Sequence, residues 1–170
     1  MAEIKSTLDI IMEKAKKFSV TEEEKKAFKR RELEGKVKGL IQKYLDGLVD
    51  MERLKEDVEV LRKDEAEDLD HLFRQEAVDR VQPGQINTPL LEILSSVAGM
   101  DTGPVKKLLD DFDSRMEHER TKQEEVLREE LRQKGISGSA VIPNLYADED
   151  WRKVLSEISQ TFKEALKSLA

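Results

Sequence analysis

The sequence predicts an all-α protein: an elongated antiparallel helical hairpin, or coiled-coil stalk, with a small three-helix bundle at one end. Three observations carry that expectation. Charged residues make up 39% of the 170, hydrophobic ones 38% and aromatic ones only 5%, too polar a mixture for one thick, round core. Glu, Lys, Leu, Arg and Asp dominate, while Pro and Gly number only four and eight, which is the usage of long helices with solvated faces. Apolar residues recur at steps of three and four along most of the chain, the spacing that lines one side of a helix.

Each element follows from local signals. Ile4, Leu8, Ile11, Ala15 and Phe18 form the seam of a first amphipathic helix. Thr21 with Glu24 three places on is a capping box and opens a second helix. From Leu33 the apolar positions run through Val37, Leu40, Tyr44, Leu48, Met51, Leu54, Val58 and Leu61, then resume at Leu69, Phe73, Ala77 and Val81. No proline interrupts before Pro83, so residues 21–82 are expected to be one rod of about 90 Å at about 1.5 Å per residue. Pro83 and Gly84 turn the chain, and Thr88 followed by Pro89 starts a short third helix. Pro104 begins a fourth, with Val105, Leu108, Leu109, Phe112 and Met116 on one side, closing at Gly135. An irregular strap follows, in which Val141, Ile142, Leu145 and Tyr146 are expected to lie over the bundle. Asp148 caps a last helix whose Trp151, Leu155, Ile158, Phe162, Ala165 and Leu169 keep the same rhythm.

This order divides the chain into a terminal bundle of residues 1–48 plus 148–170, a stalk of 49–81 plus 104–134, an apolar tip at 82–103 and the strap at 135–147. A rod folded back at the tip places 62–68 opposite 117–123, two stretches that both lose their apolar stripe. They read as halves of one polar layer, with Glu65 near Arg120 and Asp70 near Arg115.

Four groups of residues are candidate sites. The polar layer brings His71 and His118 together with Asp68, Glu67 and Glu117. Asp68 and His71 share one helical face, as in the carboxylate–histidine pairs of bundle metal sites. Arg115 stands where the matching acid before His118 should be, so an ion-paired layer without metal accounts for the same residues. The stretch 25–38 is rich in bases and is the one place where nucleic acid could bind. However, Glu32 with Lys36 and Glu34 with Lys38 would consume part of that charge, and Phe28 alone is available for stacking. Gly35 and Gly39 fall on one side with Phe28, a face suited to close approach by another helix; each glycine costs a helix interior about 1 kcal/mol. Leu90, Leu91, Ile93, Leu94, Val97 and Met100 make the tip either a docking knob for a partner or a plug for the hairpin's open end.

Several function classes find no support. There is no cysteine, hence no disulfide or thiolate chemistry. "GISGSA" lacks the helix and the Lys-Ser or Lys-Thr pair of a phosphate loop, and no serine has a histidine–acid setting. The charge of −7 argues against broad attraction to nucleic acid or anionic lipid. The opening residues contain no signal-peptide core and nowhere is there an apolar run of bilayer length, so a cytoplasmic protein is expected. The expectation is a non-catalytic protein–protein interaction module, such as an adaptor, assembly factor or chaperone-like scaffold, with no cofactor. Homodimerisation would cover Leu45, Val49 and Val60 beside the main stripe. The alternatives are a metal-binding bundle protein or enzyme built on His71 and His118, and nucleic-acid binding through 25–38.

Overall fold

The computed structural model describes residues 21–64 and 68–169. The expected first helix over Ile4–Phe18, and with it Glu65 and Glu67, lies outside the described residues. Those described are all-helical, with no strand among them: α1 Glu22–Leu45, α2 Met51–Asp64, α3 Leu69–Asp79, α4 Thr88–Ser96, α5 Gly103–Gln133 and α6 Glu149–Lys167, with a short 3-10 turn at Leu145–Ala147.

The capping box forms as expected. Thr21 Oγ1 accepts from the Glu24 amide at 3.1 Å and the Thr21 amide donates to Glu24 Oε2 at 2.8 Å, an arrangement that contributes about 1 kcal/mol. Glu22, Glu23 and Glu24 also sit at the positive end of the helix dipole.

The single rod does not form. Gly47 adopts φ +68°, the left-handed conformation that glycine enters without steric cost. Its amide donates to the Tyr44 carbonyl at 3.0 Å and the Leu48 amide to the Lys43 carbonyl at 2.9 Å. That pair of bonds is a Schellman motif, which satisfies the helix's last carbonyls and ends it. Asp50 then caps α2, its carboxylate accepting from the Arg53 amide at 2.8 Å. The chain restarts in a new direction, and α2 packs on α1.

A second break separates α2 from α3, bridged by an ion pair between Arg62 and Asp70. α3 runs parallel to α1: Glu76 lies 3.8 Å from Lys38, and one turn later Arg80 donates to Gln42 at 2.9 Å. Steps of four on both helices in the same sense require that direction.

The turn between α3 and α4 is held by Asn87, the one buried polar residue among those described. Its Oδ1 accepts from the Gln82 amide, and its Nδ2 donates to the carbonyls of Gln82 and Gln85 at 2.7 and 3.1 Å. Burial of an amide side chain is tolerated here because both ends are bonded. Asn87, one residue earlier than expected, is the N-cap position of α4, and Pro89 sits in the first turn.

α5 starts at Gly103 and Pro104 and ends in a second Schellman motif, with Gly135 at φ +79° and the Ile136 amide bonded to the Leu131 carbonyl at 2.9 Å. Its principal neighbour is α6. The rings of Phe112 and Phe162 meet edge to face with centroids 5.2 Å apart, and Gln123 donates to Asp148 at 3.3 Å. Contacts that advance along α5 while retreating along α6 make the two helices antiparallel. The ten residues of α5 past Gln123 therefore run about 15 Å beyond the start of α6. Asp148 caps α6 as expected, accepting from the Trp151 amide at 2.6 Å.

One hydrophobic core joins Leu33, Val37, Leu40 and Ile41 of α1, Leu54 and Val58 of α2, Leu69, Leu72, Phe73, Ala77 and Val78 of α3, and Leu90, Ile93 and Leu94 of α4. Val105 at the start of α5 and Phe162 and Leu166 at the end of α6 close it. Trp151 and Ile158 are buried outside this cluster. Two expectations are corrected by this packing. The strongest partner of 104–134 is α6 and not the 49–81 stretch, and α6 packs on α5 and α3, not on the N-terminal half of α1. From Thr21 to Glu32 every residue of α1 is exposed.

Candidate functional site

The metal layer depended on the unbroken rod. With the chain reversed at Gly47 and broken again before Leu69, the residues that would form it are redistributed. His71 on α3 and His118 on α5 are both exposed. Asp68 occupies the N-cap position of α3. Asp70 pairs with Arg62 and not Arg115. Arg120 is held within its own helix, 3.1 Å from Glu124 and 3.7 Å from Glu117. Among the described residues no three His, Asp or Glu side chains gather as metal ligands would; Glu67 lies outside them.

The basic stretch is a solvated helix face with much of its charge paired. Lys25 pairs with Glu22 at 2.8 Å, Lys36 with Glu32 at 2.9 Å and Arg30 with Glu34 at 3.3 Å. Lys38 reaches Glu76 on α3, so the expected Glu34–Lys38 pair is replaced. Such exposed pairs contribute little, in the range of about 0–1 kcal/mol each. On the same helix Phe28 is 69% exposed, and a Cβ placed on Gly35 or Gly39 meets nothing within 4 Å. No described helix makes the close approach that these two glycines permit.

The apolar tip is not an exposed knob. Leu90, Ile93, Leu94 and Val97 are buried, and Leu91 and Met100 are half-buried against the same core. The short helix α4 packs on α3 and α1. Tyr44 of α1 donates its hydroxyl to the carboxylate of Glu92 on α4. That hydrogen bond, reinforced by burial and by the nearby negative charge, pushes the Tyr44 hydroxyl up to about 12. The pair fastens α4 to α1.

Single large apolar side chains are exposed at Phe28, Leu48, Val60 and, in the turn before α4, Ile86, and four more stand together in one other region. On α5 and the connection from α5 to α6, Val126, Ile136, Ile142 and Tyr146 stand in solvent, Ile142 and Tyr146 at 85% and 84% exposure. The strap alternates. Val141, Pro143 and Leu145 turn inward to different degrees, with Pro143 buried, while Ile142 and Tyr146 turn out. The strap thus only partly covers its neighbours: Ile142 turns out between Val141 and Pro143, and Tyr146 turns out from the 3-10 turn at Leu145–Ala147. The sequence reading expected Val141, Ile142, Leu145 and Tyr146 all to lie over the bundle, and Ile142 and Tyr146 stand in solvent instead.

No protein-family model, curated protein or solved structure matches this chain. No helix among the described residues is long and apolar enough to cross a membrane.

Proposed function

We propose that this protein is a non-catalytic protein–protein interaction module, an adaptor or scaffold. Its partner is held at the far end of the α5–α6 pair, which in this reading is a helical hairpin arm projecting from the α1–α4 core. The observation that carries the proposal is the exposure of Val126, Ile136, Ile142 and Tyr146 around one helix connection. Large apolar side chains held in water on a capped, ordered connection gain free energy when a partner covers them, at about 25 cal/mol per Å². Aromatic residues such as Tyr146 are also enriched among those that carry interface energy. The Gln123–Asp148 bond ties α5 to the start of α6 beside that surface. In the same reading the chain is a homodimer in a cytoplasmic compartment and needs no cofactor.

The test compares native-lysate captures by wild-type protein and by an Ile142→Asp, Tyr146→Asp variant, with thermal melts of both. The expected result is loss of a specific partner by the variant at an unchanged melting midpoint, since substitution of solvated side chains usually changes stability by less than about 0.5 kcal/mol. Identical captures from both proteins remove the arm as the docking surface. Sedimentation velocity on the wild type checks the dimer, and a single monomer boundary across micromolar concentrations contradicts it.

A further inference from the structure

A second surface goes beyond this reading. Between the end of α3, the middle of α5 and the C-terminal half of α6 lies an open cleft of about 590 Å³. That volume falls within the range of about 300–1,000 Å³ typical of small-molecule sites. Its apolar wall is the outer edge of the main core: Val81, Phe112, Phe162 and Leu166. Lys163 and Lys167 stand along one side, on the same face of α6 one turn apart. Neither makes an ion pair with a described residue. Two like charges at this spacing repel one another, a cost that an anion between them reverses. Asp79 is the one acid at the cleft and leaves it with a net positive charge.

The geometry points to this cleft as a binding site for a small amphiphilic anion, a free long-chain carboxylate whose tail lies on the Phe112–Phe162–Leu166 wall and whose head sits between Lys163 and Lys167. The tail supplies affinity by removing apolar surface from water, and the two ammonium groups supply orientation and select charge. Both lysines are exposed, so replacing them leaves the core packing intact.

The experiment titrates full-length protein with dodecanoate, dodecanol and dodecyltrimethylammonium, each below its micelle concentration, by calorimetry and by amide chemical-shift mapping. Dodecanoate is expected to saturate a single site, with shifts confined to residues 78–83, around 112 and 159–167. Its affinity is expected to exceed that of dodecanol by at least about tenfold, and a Lys163→Gln, Lys167→Gln variant is expected to lose that advantage at an unchanged melting midpoint. Equal binding of dodecanol, or equal binding of the cation, overturns the proposal. So do unchanged affinity in the double variant, shifts scattered over the surface, and dodecanoate acting by splitting a dimer, which would make a second copy of the chain the natural occupant.

Discussion

The α1–α4 core and the far half of the α5–α6 pair are built from the same kind of helix, yet they use it differently. In the core each helix meets at least one other, and side chains such as Ile41, Leu54, Phe73, Ile93 and Leu94 are withdrawn completely from solvent. Along α5, a helix of 31 residues, Val105 alone is buried, and Leu108, Leu109 and Phe112 are half covered. Two helices side by side can cover only one strip of each other, whereas several helices around a common centre can cover most of a face. The contrast teaches that an apolar stripe of equal quality produces a core in one region and a partly open surface in the other. The number of neighbours decides which.

That contrast can be broken or sharpened by substitution, beginning with the largest effect. Phe73→Ala in the core should cost about 3–5 kcal/mol in urea unfolding, because it removes a fully enclosed ring and leaves a cavity. A loss below about 1 kcal/mol would mean that the core is far looser than its burial suggests. Gly47→Ala tests the reversal that creates the core, and should lower stability by about 1–2 kcal/mol through left-handed backbone strain. No change in the denaturant midpoint would show that the turn readily adopts another conformation.

Gly35→Ala should have the opposite sign. At an exposed helix interior with open space around the new methyl, it should stabilise by up to about 1 kcal/mol. Destabilisation instead would reveal that something covers this face of α1 in solution.

The last of the four effects, of similar size, concerns Tyr44. Its folded hydroxyl is raised from 10.0 to about 12 by the bond to Glu92, so the contribution of this pair is fully present below pH 10 and fades as pH climbs through about 12. Tyr44→Phe should remove that alkaline slope from the stability–pH profile and cost about 1 kcal/mol at neutral pH. An unaltered slope would indicate that the hydroxyl is bonded to water and not to Glu92.

Much of the local structure was legible in the sequence because helix ends are written in short-range chemistry. Thr21 with Glu24, Pro89, Pro104, Gly135 and Asp148 each mark a boundary within a residue or so of where it falls. The first of the two missed breaks was equally local. "DGLVD", residues 46–50, holds a glycine for a left-handed helix end and an aspartate for the next cap. It was masked because Tyr44, Leu48, Met51 and Leu54 keep three- and four-residue steps straight across the break. Leu48 itself shows the deception: it continues the apolar rhythm but stands 73% exposed. The polar layer around His71 and His118 depended on a register that the turn at Gly47 erases, whereas the apolar tip, read as either knob or plug, is buried against the core.

The sequence by itself determined that the described chain is helical, where most helices start and stop, and which side chains seek cover, because these depend on backbone bonds and residues within a turn or two. Only the tertiary structure decided which stripe meets which. Periodicity states that one side of a helix avoids water, and carries no information about the surface that will receive it. That choice comes from how the chain reverses: it enclosed Leu90 and Leu94, and it left Ile142 and Tyr146 in solvent.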